Sequence, residues 1–396
     1  MGESTEITPR ELFDRLVTRG ETPPILDVRN EDEFAAWKIE GTRPLAHLNM
    51  PYFGFIDEPE HSTERVAQAG DAWIGVCAKG DSSAFVTEIL REQGLKAVNL
   101  IGGMEAWGNL HVPVRVDDGR VGAGTRGFEL WQINRYGKGC LSYVILAGGQ
   151  AIVVDASRHL EIYEAFLRER GATLVQVLDT HVHADHLSGG AELARRAGAP
   201  FFVAAGEGVE LRREVRPLAD GTELTLGGTD GGAAVTVRVV ATPGHTPGSA
   251  CYLVDGRWLL SGDTIFVSGI GRPDLGGQVE AWGGALFHTL HRGPLSTLPD
   301  EVVVLPAHFA SPAELDRGGV VERRLGDIRA ASPELGLPTE AAFIEAMRRA
   351  VKSPPDVYQK IIAANLSLAD VPGEQASEWE LGKNQCAASL PAGPRG

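Results

Sequence analysis

Residues 180–186 read Thr-His-Val-His-Ala-Asp-His, so His181, His183, Asp185 and His186 place four metal-ligating side chains within six consecutive positions. Downstream, His245 in TPGHTPG, Asp263 in SGDT and His308 in LPAH each follow an apolar run. Imidazole and carboxylate are borderline-to-hard donors suited to zinc or iron, and no cysteine stands among these residues. One such histidine would ordinarily be a core or capping residue, but seven potential ligands in this order point to a metal site. Alternation along an extended turn puts His181 and His183 on one side and swings Asp185 and His186 toward a second position. A second reactive group lies far upstream. Cys77 ends the run WIGVC and is followed by Ala-Lys-Gly-Asp-Ser-Ser and a helical pattern. A thiol between a strand end and a helix N-terminus meets backbone N–H groups that favour its thiolate, and Lys79 adds positive charge. A lone cysteine is more often a buried, inert one.

The elements that carry these groups fall into two textures. Thr8-Pro9-Arg10-Glu11 matches a capping box with proline at the first helical position, followed by Leu12, Phe13, Leu16 and Val17 on one face. PILDV (24–28), WIGVC (73–77) and KAVNLI (96–101) read as strands. SSAFVTEILREQG reads as a helix with Phe85, Ile89 and Leu90 at helical spacing and Gly94 as its stop. This alternation predicts a small parallel α/β domain over residues 1–115. From Asn109 to Gly127 the periodicity lapses, which marks a linker. A second domain is expected over 120–396. Its strands are LWQI, CLSYVILA, QAIVVDA, TLVQVLD, VTVRVVA, ACYLVDG, RWLLSGD and EVVVLP, with helices near 160–169, 191–197 and 343–351. The proline-punctuated tail is expected to be poorly ordered.

Composition narrows the partners. The 396 residues carry 53 acidic against 37 Lys and Arg side chains, a formal charge of −16. A nucleic-acid partner would need a sustained cationic footprint, and an anionic membrane would repel this charge. No stretch approaches a spanning helix or a signal-peptide core, and four scattered cysteines make no disulfide framework. A cytoplasmic protein with reduced thiols is expected, and a homo-oligomer stays open.

From about Phe128 to at least His308 the chain resembles the metallo-β-lactamase superfamily. The resemblance implies an αββα sandwich with metal at one edge of its sheets. Carried over by motif position, a first metal site falls on His181, His183, His245 and Asp263, and a second on Asp185, His186, Asp263 and His308. β-Lactamases commonly have cysteine where this chain has Asp263, which argues against antibiotic hydrolysis. Two family reactions suit the set. A glyoxalase II-type thioester hydrolase would use all the ligands around two zinc ions. A persulfide dioxygenase would hold one Fe(II) on His181, His245 and Asp263, with His183, Asp185, His186 and His308 orienting ligands and water. Gly269 to Leu275, GIGRPDL, resembles the dioxygenases, and there Arg272 and Asp274 would pair at the pocket mouth or simply brace a turn.

LDVRNEDEF (26–34), IEGT (39–42), the Cys77 loop and GGMEAW (102–107) occur in the order seen in rhodanese domains, over nearly all of residues 5–110. That resemblance makes Cys77 the sulfur-carrying nucleophile and Asp27–Arg29 a structural pair. The loop lacks the arginine of many active rhodaneses and carries Asp81, which opposes thiosulfate. Rhodanese–persulfide dioxygenase fusions are known in bacteria, and this chain resembles them. The expected activity is therefore R-S-SH + O₂ + H₂O → R-SH + SO₃²⁻ + 2H⁺, coupled to sulfane-sulfur transfer at Cys77. Its partners would be a small thiol persulfide, thiosulfate and O₂.

Overall fold

The computed structural model describes residues 4–116, 127–209, 212, 214–228, 234–350 and 353–388. Thr8 caps the first helix as its sequence requires. Its hydroxyl accepts from Glu11 N–H while the Glu11 carboxylate takes the Thr8 N–H, and Pro9 starts the helix Pro9–Phe13. That helix covers one face of a five-stranded parallel sheet. The strand order is Glu6–Ile7, Lys96–Leu100, Ala72–Val76, Ile25–Asp27 and His47–Asn49. The helix after Cys77 spans Asp81–Glu92, but Phe85 stays exposed and the buried apolar face runs through Val86 and Leu90.

The second domain is built on two sheets. Seven strands run from Val215–Leu218 through Phe201–Ala204, Thr173–Asp179, Gln150–Val154, Cys140–Ala147 and Phe128–Arg135 to His111–Arg115. Six more run Glu223–Gly227, Ala234–Ala241, Ala250–Val254, Trp258–Gly262, Val303–Pro306 and Arg323–Arg324. Their inner faces share one core that includes Tyr143, Ile152 and Val154 from the first sheet and Val237, Tyr252 and Leu260 from the second. Helices Leu160–Glu169 and Gly190–Ala197 cover the outer face of the first sheet, and Val279–His291 and Glu340–Ala350 that of the second. This is the expected αββα sandwich behind an α/β domain.

Two sequence expectations fail here. The span 109–127 is not simply a linker, because His111–Arg115 is the edge strand of the seven-stranded sheet, antiparallel to Phe128–Arg135. Residues 111–115, expected at the end of the first domain, thus pair in the second domain's sheet, and only 117–126 of the expected linker lie outside the described residues. Pro113 is tolerated because an edge strand needs a ladder on one side only. The tail is also built: Val357–Ser367 and Gly373–Trp379 are helices, and Ala387–Ala388 pairs with Gly269–Gly271. Residues 389–396 and Val351 lie outside the described residues. No described helix is long and apolar enough to cross a membrane.

The two domains share core. Tyr136, in the turn between Phe128–Arg135 and Cys140–Ala147, packs edge-on against Phe13 and Trp107 at 5.1 and 5.3 Å and meets Phe309 at 6.0 Å. Trp37 Nε1 donates to Gly137 O at 2.9 Å. Tyr136→Ala is therefore expected to cost about 3–5 kcal/mol, the range for emptying a buried aromatic site. Denaturant unfolding followed by tryptophan fluorescence measures it, and a loss below about 1 kcal/mol would mean that the domains merely touch.

Candidate metal centre

Each ligand-bearing turn leaves the end of a sandwich strand. Thr173–Asp179 runs into the His181 turn, Trp258–Gly262 into Asp263, and Val303–Pro306 into His308, while His245 precedes Ala250–Val254. The ligand atoms of His181, His245 and Asp263 lie within 4.8 Å of one another. Asp263 Oδ2 stands 3.6 Å from His181 Nε2 and 3.5 Å from His245 Nε2. All three atoms are buried with no hydrogen-bond partner. Buried polar atoms are rarely left so, and three converging on one point fit a cation.

The other ends of these side chains are fixed. His245 Nδ1 lies 2.9 Å from the Arg272 carbonyl, which can only accept, so Nε2 keeps its lone pair. Burial pushes His245 down to about 4, so the ring is neutral. His181 Nδ1 pairs with Thr180 Oγ1 at 2.9 Å. Burial opposes charge on Asp263, yet His308 and His181 hold it well below the usual carboxylate range. Two imidazoles and one carboxylate are a donor set for Fe(II) or Zn(II).

Gly271 explains part of GIGRPDL. A Cβ there would lie 1.8 Å from the Asp263 carbonyl oxygen, so only glycine lets this segment approach and bring the Arg272 carbonyl to His245. The Arg272 side chain is buried and bidentate with Asp274, both contacts at 2.7 Å, and donates to Gln385 O at 3.2 Å. The pair braces the turn that orients His245.

Asp185, His186 and His308 form a second group with Cys140, again within 4.8 Å. Its members satisfy one another. His308 Nδ1 faces Asp263 Oδ1 at 2.6 Å and Nε2 faces Asp185 Oδ2 at 3.0 Å. Both ring nitrogens therefore donate, and although burial opposes it, Asp185 and Asp263 hold the imidazolium well above the ordinary range. Asp185 also accepts from His186 Nδ1 at 3.1 Å and from the Cys140 thiol at 3.1 Å. His183 joins neither group. Its Nε2 is 3.2 Å from Asp155 Oδ1, and it clusters with Asp155 and Asp179, although its Nδ1 is buried and unpartnered.

Sequence reading missed Cys140, Cys386 and Asp155. Cys386 lies with Asp263 and His308 within 4.8 Å, and all four cysteines are free and buried. Asp155 sits at φ 56°, a left-handed conformation that costs a non-glycine residue about 1–3 kcal/mol. It accepts from Thr180 N–H at 2.7 Å and steadies His183. The only signal was an aspartate at the end of QAIVVDA.

In the first domain Cys77 Sγ accepts from Gly80 N–H at 3.0 Å and Ser83 Oγ–H at 3.2 Å, at the head of Asp81–Glu92. Lys79 is exposed, and the sulfur's hydrogen bonds come from Gly80 and Ser83 instead. Met104 N–H donates to the Cys77 carbonyl at 2.9 Å, and Gly103 allows it, since a Cβ there would stand 2.3 Å from that oxygen. Asp27 and Arg29 are the expected structural pair: buried, 2.7 Å apart, with Arg29 also donating to Trp37 O.

Comparison with known proteins agrees with both halves. Residues 135–308 match the Metallo-beta-lactamase superfamily and residues 8–110 the Rhodanese-like domain. A hydroxyacylglutathione hydrolase of Anaeromyxobacter dehalogenans is 35% identical over 205 residues, 50% of this chain and 74% of that protein. One from Rhizobium etli is 32% identical over 161 residues, 40% of this chain and 57% of that protein. Among solved structures, a metallo-beta-lactamase from Staphylococcus aureus subsp. aureus COL is 26% identical with a TM-score of 0.53, covering 61% of this chain and 72% of that one. ETHE1 from Myxococcus xanthus is 27% identical with a TM-score of 0.51, covering 60% of this chain and 97% of that one. The ligand turns at the sandwich edge and these matches lead to one conclusion: the chain belongs to the metallo-beta-lactamase superfamily and carries a rhodanese-like domain ahead of that fold.

Proposed function

We propose that the protein is a persulfide dioxygenase with a sulfurtransferase domain, using one Fe(II) per chain. The observation that carries this reading is the split between the two ligand groups. His181 Nε2, His245 Nε2 and Asp263 Oδ2 converge without partners, whereas both nitrogens of His308 and both oxygens of Asp185 are engaged. Two imidazoles and one carboxylate would hold a ferrous ion that, when bound, supplies open coordination positions for a persulfide sulfur and O₂. The chain's residues prepare that place. The Arg272 carbonyl and Thr180 aim the two imidazoles, and His308 takes Asp263 Oδ1 so that Oδ2 turns toward them. Burial of all three ligands keeps bulk water from their lone pairs. The rhodanese-like domain supports the reading chemically, since a domain that handles sulfane sulfur can make the persulfide that such a site consumes.

A second reading has its own support. Both relatives above are named hydroxyacylglutathione hydrolases, and His183 Nδ1 is buried without a hydrogen-bond partner beside His181. With Asp185, His186 and His308 released from one another, two zinc ions would suit thioester hydrolysis. The test sets the two substrates side by side. Anaerobically purified, iron-loaded protein is expected to consume O₂ and release sulfite from glutathione persulfide, with S-lactoylglutathione hydrolysed at least about 100-fold more slowly. Brisk thioester turnover by a protein holding two zinc ions, with no oxygen uptake on several persulfides, would decide for the hydrolase.

A further inference from the structure

Between the strand Thr173–Asp179 and the helix Gly190–Ala197, the ligand turn is buried, and between its backbone bonds at Thr180 and its bridge at Ser188 no strand ladder pairs its backbone. Buried N–H and C=O groups need partners from elsewhere. Two side chains from the far end of the chain supply them. Asn365 Nδ2 donates to the carbonyls of His183 at 2.8 Å and His186 at 2.9 Å, and its Oδ1 accepts from Ser188 N–H at 3.0 Å. Glu380 Oε1 accepts from Leu187 N–H at 2.8 Å, while Arg135 and Arg158 hold its Oε2 at 2.7 and 3.1 Å. Both residues are buried, and both lie outside the segment 135–308 that matches the superfamily.

Docking the C-terminal helices does not by itself call for these bonds. Leu187, Ile361, Ala364 and Ala376 already form an apolar cluster between the helices and the turn. Asn365 instead spends both donors and its acceptor on one turn of backbone. A buried carboxylate with two arginines is costly to assemble unless its remaining oxygen also finds a donor, and here that donor is the residue after His186.

We propose that Asn365 and Glu380 are positioning residues of the metal centre, fixing the turn from His183 to Ser188 that follows directly on the ligand His181 and carries Asp185 and His186. The C-terminal helices are then part of the site. Glu380 also ties it to the first domain, because Arg135 donates to Gly108 O and Asn109 Oδ1 at 2.8 Å each, at the end of the helix Gly103–Asn109. This inference rests on the metal-centre reading above, and one experiment separates the two.

Co²⁺ is titrated into full-length metal-free wild type, His245→Ala, Asn365→Ala, Glu380→Gln and Ile361→Val, at a temperature where each is folded. Affinity comes from chelator competition, and the visible absorption of bound Co²⁺ reports its geometry. Asn365→Ala and Glu380→Gln are expected to weaken Co²⁺ binding about 10–100-fold, the range for losing outer hydrogen bonds that hold a metal site in place, because the turn they fix continues directly from His181, and to shift the absorption band. Ile361→Val, which only thins the apolar cluster, is expected to leave both unchanged. Should one of the first two variants not fold, the other decides. Affinity within about twofold of wild type, or an equal loss in Ile361→Val, would overturn the positioning role. Unaltered binding in His245→Ala would instead overturn the metal-centre reading itself.

Discussion

Asp263→Ala is expected to hold no metal at His181 and His245 and to lose oxygen uptake by about three orders of magnitude or more. Asp263 supplies the only anion among the three converging ligands, and its Oδ2 is the atom both imidazoles face, at 3.6 and 3.5 Å. Two neutral imidazoles alone are a weak site for a hard or borderline dication. The substitution also strips His308 of its 2.6 Å partner, so the second group is disturbed together with the first. Metal content of the purified variant, with circular dichroism to show that it is folded, measures the effect. Asp185→Asn is the companion. In the one-iron reading it leaves a single ion per chain bound, because Asp185 pairs with His186, His308 and Cys140 instead of joining the triad. If wild type holds two ions and Asp185→Asn holds one, the dinuclear hydrolase reading prevails.

The candidate ligands stand out in sequence because strand periodicity ends where they begin. TLVQVLD is the strand Thr173–Asp179, and the histidines follow it immediately. What sequence could not show is which ligands converge. Alternation groups His181 with His183, yet Asp155, some thirty positions upstream, turns the His183 ring aside through a 3.2 Å contact. Nor does residue type separate an orphaned imidazole nitrogen from one donating to a carboxylate. That difference arises only when Val303–Pro306 packs beside Trp258–Gly262 and brings His308 to Asp263. The tail was misread for a related reason. Prolines at 354, 355 and 372 punctuate helices whose order comes from tertiary contacts, those of Asn365 and Glu380 with the ligand turn among them, and not from local propensity. HVPVR falls inside the span whose lapsed periodicity marks a linker, yet five residues suffice for an edge strand, where its proline is tolerated. Phe85 was placed inside by periodicity alone, one position from Val86, which is the residue that enters the core.

Cys77→Ser separates the two domains. Sulfur transfer needs a thiolate that attacks a sulfane sulfur and then yields it to a thiol, and a hydroxyl does neither at neutral pH. The variant should fold, because serine fits the space of the sulfur and can keep the contacts with Gly80 N–H and Ser83 Oγ. Sulfurtransferase activity from thiosulfate or a persulfide to a small thiol is expected to fall by about three orders of magnitude or more. Oxygen uptake on preformed glutathione persulfide is expected to stay within about twofold of wild type, since Cys77 belongs to none of the ligand groups. In a coupled assay begun from thiosulfate and thiol, the variant should lose oxygen uptake as well, because the persulfide is no longer made. Asp81 refines the test. It is the first residue of the helix Asp81–Glu92, exposed beside the loop that must receive an anion. Asp81→Asn should raise thiosulfate use, and more so at low ionic strength, where the Debye length is long. If wild type and Cys77→Ser transfer sulfur equally from every donor, the N-terminal domain is no sulfurtransferase. Its contacts with Tyr136 and Arg135 would then make it a brace for the metal domain.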